Sequence, residues 1–206
     1  MMSKTHIGVG LAVALLAAPA TRSDVLLALM GGSLGCLFCD VDLGFLGKAD
    51  NKLKPGWIIT LSIFLSSFML DSLFFRKVLR YTLTKQYWVF PVGVVLFVVQ
   101  VLLAKHLPHR TYSHSITICV LTTSLIYAFA KPIWQYYALA FASHIFLDLF
   151  NRKPITLFYP YKKSFCFNLC YANGIVNTIL MFVSVAACAV ILFFKAGIGT
   201  NRIARL

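Results

Sequence analysis

One histidine and one aspartate in a single predicted helix have the spacing of metal ligands. His144 and Asp148 are four residues apart within a long apolar run, and this spacing places both side chains on one helix face. Ionisable groups inside membrane segments cost about 2.5–3.5 kcal/mol each on insertion scales, which favours a functional role. The pair can bind a divalent cation; alternatively, a hydrogen bond between the two side chains packs neighbouring helices together.

Two further carboxylates follow an earlier apolar run. Asp40 and Asp42 are separated by one residue, and carboxylates this close repel each other unless a cation or basic groups neutralise them. A helix C-terminus also disfavours negative charge. The pair is therefore either a second source of metal ligands or a solvated helix end.

A third polar motif opens the fifth apolar run and contains His109, Arg110 and His114. The two imidazoles suit a metal ion. The Arg110 guanidinium can form a bidentate clamp on phosphate, beside a helix N-terminus that attracts the same anion. The alternative is an interfacial loop whose basic side chains extend towards the membrane surface.

Continuous apolar runs must position these residues. Only helices and closed barrels satisfy the backbone in lipid, and runs without alternation indicate helices. The runs are residues 7–20, 25–39, 57–74, 87–104, 115–130, 133–150 and 174–194. A full span needs about 20 residues, so the two short first runs are predicted to form a tilted or re-entrant hairpin. We expect an all-α, polytopic transmembrane bundle with about seven hydrophobic segments, in one membrane domain over residues 1–206. Residues 155–167 are predicted to lie at the interface.

Counting the runs predicts which residues meet at one membrane face. If each run carries the chain to the other face, the second, fourth and sixth runs end on the face that bears the N-terminus. All five histidines and three of the six acidic residues then lie on that face. This convergence adds His6 to the candidate ligands, whereas we interpret His106 as interfacial only.

Composition favours a membrane protein and argues against nucleic-acid binding. The chain is 60% hydrophobic, against about 45–50% in soluble domains, and its mean hydropathy is +0.82. A net charge of +13 would suggest nucleic acid in a soluble protein. Here the basic residues cluster between apolar runs, where they anchor helices and meet anionic headgroups. We therefore expect membrane lipids as partners and no nucleic acid.

Two features have competing explanations. Residues 1–20 imitate a secretory signal peptide, but His6 has a role in the convergent site, so we expect the segment to be retained.

Cys36 and Cys39 have the C-x-x-C spacing of metal and redox sites, without a second such pair. We interpret both as small hydrophobic residues within an apolar run.

These motifs resemble the YdjM family of bacterial inner-membrane proteins, which is described as metal-dependent hydrolases and grouped distantly with zinc phospholipase C and P1 nuclease. The family pattern has Thr-His, Pro-Asp-x-Asp, His-Arg-x-x-Thr-His-Ser and Ser-His-x-x-Leu-Asp motifs. Their counterparts here are Thr5-His6, Cys39-Asp40-Val41-Asp42, residues 109–115 and residues 143–148. Cys39 stands where the family has proline, and Ser113 where it has threonine. The resemblance implies metal binding and hydrolysis.

The sequence and the resemblance together predict a metal-dependent hydrolase of a phosphoester, such as a phospholipid headgroup. The expected ligands of one or two divalent ions, zinc being favoured by mixed imidazole and carboxylate donors, are His6, Asp40, Asp42, His114, His144 and Asp148. His109 is expected to be a ligand or proton shuttle, and Arg110 a phosphate clamp. The alternative is a non-enzymatic membrane protein, either a metal transporter or a helix-bundle partner subunit.

Overall fold

The computed structural model describes residues 3–41, 54–84, 88–171 and 174–203, which form a mostly helical bundle. The α-helices of these residues are α1 (Ser3–Ala17), α2 (Arg22–Cys39), α3 (Lys54–Leu70), α4 (Lys77–Thr84), α5 (Val89–His106), α6 (Ile116–Phe129), α7 (Trp134–Leu149) and α8 (Ile175–Ile203). A π-turn, Asp71–Phe75, continues α3, and a 3-10 turn, Lys131–Ile133, leads into α7. Asp42 lies outside the described residues.

A small hairpin follows α7. Its strands β1 (Ile155–Thr156) and β2 (Ser164–Phe165) pair antiparallel, with Ile155 opposite Phe165. The hairpin lies within residues 155–167, for which an interfacial position was predicted. It is the only sheet among the described residues, so the fold is all-α apart from these short strands.

Four helical segments of the described chain are long and apolar enough to cross a membrane: Arg22–Cys39, Gly56–Phe75, Val89–His106 and Ile175–Lys195. The apolar helices Lys4–Ala17 and Ile116–Phe129 are shorter. Each ends before a proline, Pro19 or Pro132, and the residue before a proline is disfavoured in the helical conformation. Seven spanning segments are therefore not confirmed. The α2 segment, predicted to belong to a short hairpin, reaches spanning length.

Helix α2 lies in the interior of the bundle, whereas the other three candidate spans are peripheral. In α2, 67% of the residues are buried, against 17% in Gly56–Phe75 and 11% in both Val89–His106 and Ile175–Lys195. The peripheral spans thus turn apolar side chains outward, as lipid contact requires. The interior helices α1, α2 and α7 are the ones that carry His6, Asp40, His144 and Asp148.

Glycines let these interior helices approach closely. A Cβ added to Gly35 of α2 would lie 2.6 Å from the carbonyl oxygen of Tyr137 in α7, and one added to Gly10 of α1 would lie 2.4 Å from Cys36 Sγ. Small residues at such contacts are typical of membrane helix packing. Cys36 and Cys39 are buried here, and all six cysteines are free thiols.

Candidate metal centre

Asp148, near the end of α7, lies at the centre of a cluster of imidazole side chains. Its Oδ1 atom lies 3.3 Å from His6 Nε2, and its Oδ2 atom lies 3.1 Å from His114 Nε2. Arg110 Nη2 donates a hydrogen bond of 3.3 Å to Oδ1. His144, one turn earlier on the same face, has its Nε2 3.9 Å from Oδ2. Three segments distant in sequence therefore meet at one carboxylate.

His6 reaches the cluster because α1 packs against both α2 and α7. Its ring stacks on that of His144, with centroids 3.9 Å apart and planes 11° from parallel. The hydroxyl of Thr5 donates to the carbonyl oxygen of Asn177 in α8 at 3.3 Å. This hydrogen bond fixes the position of α1 relative to α8. The stack joins the first helix of the chain to α7.

Asp40 closes the other side of the cluster, at the C-cap of α2. Its carboxylate Oδ1 lies 3.6 Å from His144 Nε2, and its backbone carbonyl accepts a hydrogen bond from Trp57 Nε1 at 3.2 Å. A carboxylate opposes the helix dipole at this position, so a positively charged partner would offset an unfavourable placement.

The loop between α5 and α6 supplies the remaining groups. The ring of His109 packs edge-on against that of His114, with centroids 4.9 Å apart. The Ser113 hydroxyl lies 3.0 Å from His114 Nδ1 and hydrogen-bonds with it. A partner at Nδ1 orients the imidazole and directs its Nε2 atom towards the carboxylates.

The hairpin segment holds this loop in place. Ser115, the N-cap of α6, donates to the carbonyl oxygen of Leu157 at 2.9 Å and accepts the N–H of Tyr159 at 3.0 Å. Arg110 has left-handed backbone, with φ 68°, and its carbonyl oxygen accepts the N–H of Thr156 at 2.9 Å. Its Nη1 atom donates to the carbonyl oxygen of Lys153 at 2.7 Å. The Arg110 guanidinium is thereby directed across the cluster.

Buried imidazole nitrogens indicate that the cluster suits a cation. Neither ring nitrogen of His144 has a hydrogen-bond partner among the described residues, and the same is true of His6 Nδ1. Leaving a buried polar atom unsatisfied costs about 1–3 kcal/mol, and native structures rarely tolerate several together. A metal ion would satisfy a ring nitrogen and neutralise the neighbouring carboxylates at once.

The donors form two groups, each compact enough to share one ion. His6, His144 and Asp148 offer ligand atoms within 4.8 Å of one another, and so do Asp40, His109 and His114. The short contacts between His114 and Asp148 and between His144 and Asp40 link the two groups. Three imidazole or carboxylate donors per ion match the ligand sets of first-row divalent metals.

Access to the cluster is from the loop side. His6, His114, His144 and Asp148 are each at most 2% exposed, whereas His109 and Arg110 are partly exposed. A solute would therefore meet His109 and Arg110 first. His106, at the end of α5, is exposed and belongs to neither donor group of the described residues.

Four residues that orient the cluster were not among the predicted ligands and catalytic residues: Thr5, Trp57, Ser113 and Lys153. Thr5 and Ser113 precede His6 and His114 directly, so adjacency to a candidate ligand was a usable signal for both. Trp57 and Lys153 have no such signal, since their contacts depend on how α3 and the α7–β1 connection fold back.

Comparison with known proteins yields one match. A family model described as "YdjM inner membrane protein" matches residues 1–203, a region that includes every residue of both donor groups. No curated protein and no solved structure matches the chain.

Proposed function

The chain belongs to the YdjM inner membrane protein family and is an integral inner membrane protein, and from that premise we propose that it is a membrane-embedded, metal-dependent hydrolase of a phosphoester. The substrate class is a phospholipid headgroup or a similar phosphate ester. In this proposal residues 1–206 form one membrane domain, into which all seven apolar runs are embedded as helical segments.

The observation that carries the proposal is the pair of linked donor groups. Four imidazoles and two carboxylates from α1, α2, α7 and the α5–α6 loop lie within contact of one another, although histidine and acidic residues are scarce in the chain. We assign the ligands of one or two divalent ions, zinc being preferred, to His6, Asp40, His114, His144 and Asp148. Asp42, two residues after Asp40 in the sequence, remains a further candidate ligand.

A divalent cation bound by these residues would polarise a phosphoryl oxygen and acidify water. The protein's own contribution is to bind and orient the substrate. The Arg110 guanidinium has five N–H donors, of which the contacts to Asp148 and Lys153 use two. Its planar fork can therefore donate to two phosphate oxygens while its hydrogen bond to Asp148 holds it in place.

His109 is assigned as the group that moves protons. It is partly exposed at the mouth of the cluster and touches the ring of His114. An imidazole exchanges protons near neutral pH. From this position His109 can pass a proton between the leaving group and the aqueous phase, or complete the second ligand group.

The depth of the cluster suits a headgroup. His144 and Asp148 lie within about two turns of the end of α7 at Leu149, so about 10 Å or less below the interface. Lys153, Lys162 and Lys163 are exposed on the adjoining hairpin segment and raise the local concentration of anions. A transporter site would instead be expected near the bilayer midplane on broken helices.

The test is turnover by the full-length protein, purified in detergent and loaded with zinc. Mixed phospholipids and soluble phosphodiesters serve as substrates, beside the variants His114→Ala and Asp40→Ala. His106→Ala is the matched control, since it removes an exposed imidazole outside both groups. Zinc-dependent release of a phosphate-containing product, lost in the first two variants and retained in the control, supports the proposal. Tight zinc binding without turnover across the panel would replace it with a transport or binding role.

A further inference from the structure

A groove opens between α2, α8 and the end of α3. Its volume is about 720 Å³, which lies in the range of ligand pockets, about 300–1,000 Å³. Apolar side chains line its length, among them Leu26, Leu70, Phe74 and Leu192. Phe74 is 72% exposed, so this wall of the groove lies at the surface that lipid contacts around the bundle.

Two basic side chains stand at the groove, Arg22 and Lys195. Arg22 is exposed and is the first residue of α2, where the helix dipole also favours an anion. Lys195 Nζ donates to the carbonyl oxygens of Leu15 and Ala18. An ammonium has three donors, so this anchoring leaves one N–H of Lys195 available at the groove that the residue lines.

The acidic residues at this end of the described bundle already have partners. Asp24 is ion-paired with Lys77 at 2.8 Å and accepts a hydrogen bond from the Thr21 hydroxyl. Asp71 is buried and accepts the backbone N–H groups of Lys77 and Val78. Among the described residues, therefore, no carboxylate is paired with Arg22 or Lys195.

The groove is separate from the imidazole–carboxylate cluster. Arg22 and Asp40 stand at opposite ends of α2, and a helix of this length measures about 27 Å at about 1.5 Å per residue. A molecule in the groove therefore has its polar end at the opposite membrane face. This site neither depends on the proposed hydrolase activity nor supplies it with substrate.

We propose that the groove binds one phospholipid with an anionic headgroup, its acyl chain along the apolar walls and its phosphate at Arg22 and Lys195. Basic pockets between membrane helices have the chemistry that holds such headgroups. A zwitterionic lipid offers the same chain without the net charge. Free phosphate offers the charge without the chain, so neither satisfies both features of the groove.

The test is native mass spectrometry of the full-length protein in detergent, with phosphatidylglycerol or phosphatidylcholine added at equal concentration. Wild-type protein should retain phosphatidylglycerol about 25-fold better, about fivefold for each of the two basic contacts near the surface. Arg22→Gln should lower this preference about fivefold. Arg80→Gln is the matched control, because Arg80 is exposed on α4, which follows the same end of α3, and does not line the groove.

Lys195 also fastens α8 to the C-terminus of α1, so the second variant is Leu26→Trp, which fills the groove without touching a charge. It should reduce retention of phosphatidylglycerol to the level of Arg22→Gln, while zinc content and unfolding temperature stay at wild-type values. Equal retention of both lipids by the wild type would overturn the proposal. So would wild-type retention of phosphatidylglycerol in both Arg22→Gln and Leu26→Trp.

Discussion

The imidazole rings of His6 and His144 stack face to face, with centroids 3.9 Å apart. Both rings present an Nε2 atom to Asp148, that of His6 at 3.3 Å from Oδ1 and that of His144 at 3.9 Å from Oδ2. The stack therefore joins α1 to α7 at the point where we propose that an ion binds.

Gly35→Ala should destabilise the bundle and weaken zinc binding together. The new Cβ would lie 2.6 Å from the Tyr137 carbonyl oxygen, so α2 must move away from α7 and carry Asp40 away from His144. Overpacking of this kind costs about 1–3 kcal/mol, which thermal unfolding in detergent would detect. Gly56→Ala is the control, since its Cβ would meet nothing closer than Ile7 Cδ1 at 3.5 Å. Similar unfolding temperatures for both variants would contradict the packing argument.

Ser113→Ala should lower zinc affinity, because the hydroxyl that hydrogen-bonds with His114 Nδ1 is lost. Partners that orient a ligand typically contribute about 10–100-fold in metal affinity. Ser113→Thr keeps the hydroxyl and should retain most of the affinity. Competition with a chelator measures both variants. If alanine and threonine bind zinc equally well, Ser113 does not position His114.

Arg110→Ala should reduce turnover of a phosphoester by about 100-fold, the usual cost of removing one donor from a developing anion. Zinc should still bind at saturating concentration, since Arg110 supplies no ligand atom, although losing its hydrogen bond to Asp148 should weaken the affinity. Arg110→Lys should recover little, because an ammonium lacks the planar fork. Arg152→Ala is the control, as Arg152 lies near the same end of α7 and stacks on Tyr171. Wild-type turnover in Arg110→Ala would remove Arg110 from the catalytic assignment.

Cysteine accessibility tests the topology on which the convergence of ligands depends. The background carries serine at Cys119, Cys166, Cys170 and Cys188, the four cysteines that are not buried. Cysteines introduced one at a time at His106 and Lys153 should then react from one side of the membrane. Cysteines at Lys77 and Lys131 should react from the other. The expectation follows from the order of the helices. Labelling of the His106 and Lys153 positions from opposite sides would break the shared face.

The number of apolar runs between them was sufficient to predict that His6, His114 and His144 share one end of the bundle. An even number of runs returns the chain to the same face, and composition makes the runs easy to see. The separations between the rings were not predictable. They depend on close contacts at Gly35 and Gly10, which carry no periodic signal.

The interaction between Arg110 and Asp148 was also beyond the sequence. Arg110 was predicted to clamp phosphate, and nothing in its motif indicated that its guanidinium would also bond Asp148 and Lys153. That geometry requires a left-handed backbone at Arg110, which is stabilised by the Thr156 N–H. A short hairpin later in the chain thus determines the position of an earlier loop, and local sequence patterns do not report such contacts.

Metal analysis of the purified full-length protein tests the central claim most directly. We predict one or two equivalents of a first-row divalent metal, zinc being preferred, in the wild type. The content should fall sharply in His144→Ala and in Asp148→Ala, each of which removes a donor from the group that includes His6. His106→Ala should keep the wild-type content. Metal content unchanged in both His144→Ala and Asp148→Ala would contradict the account.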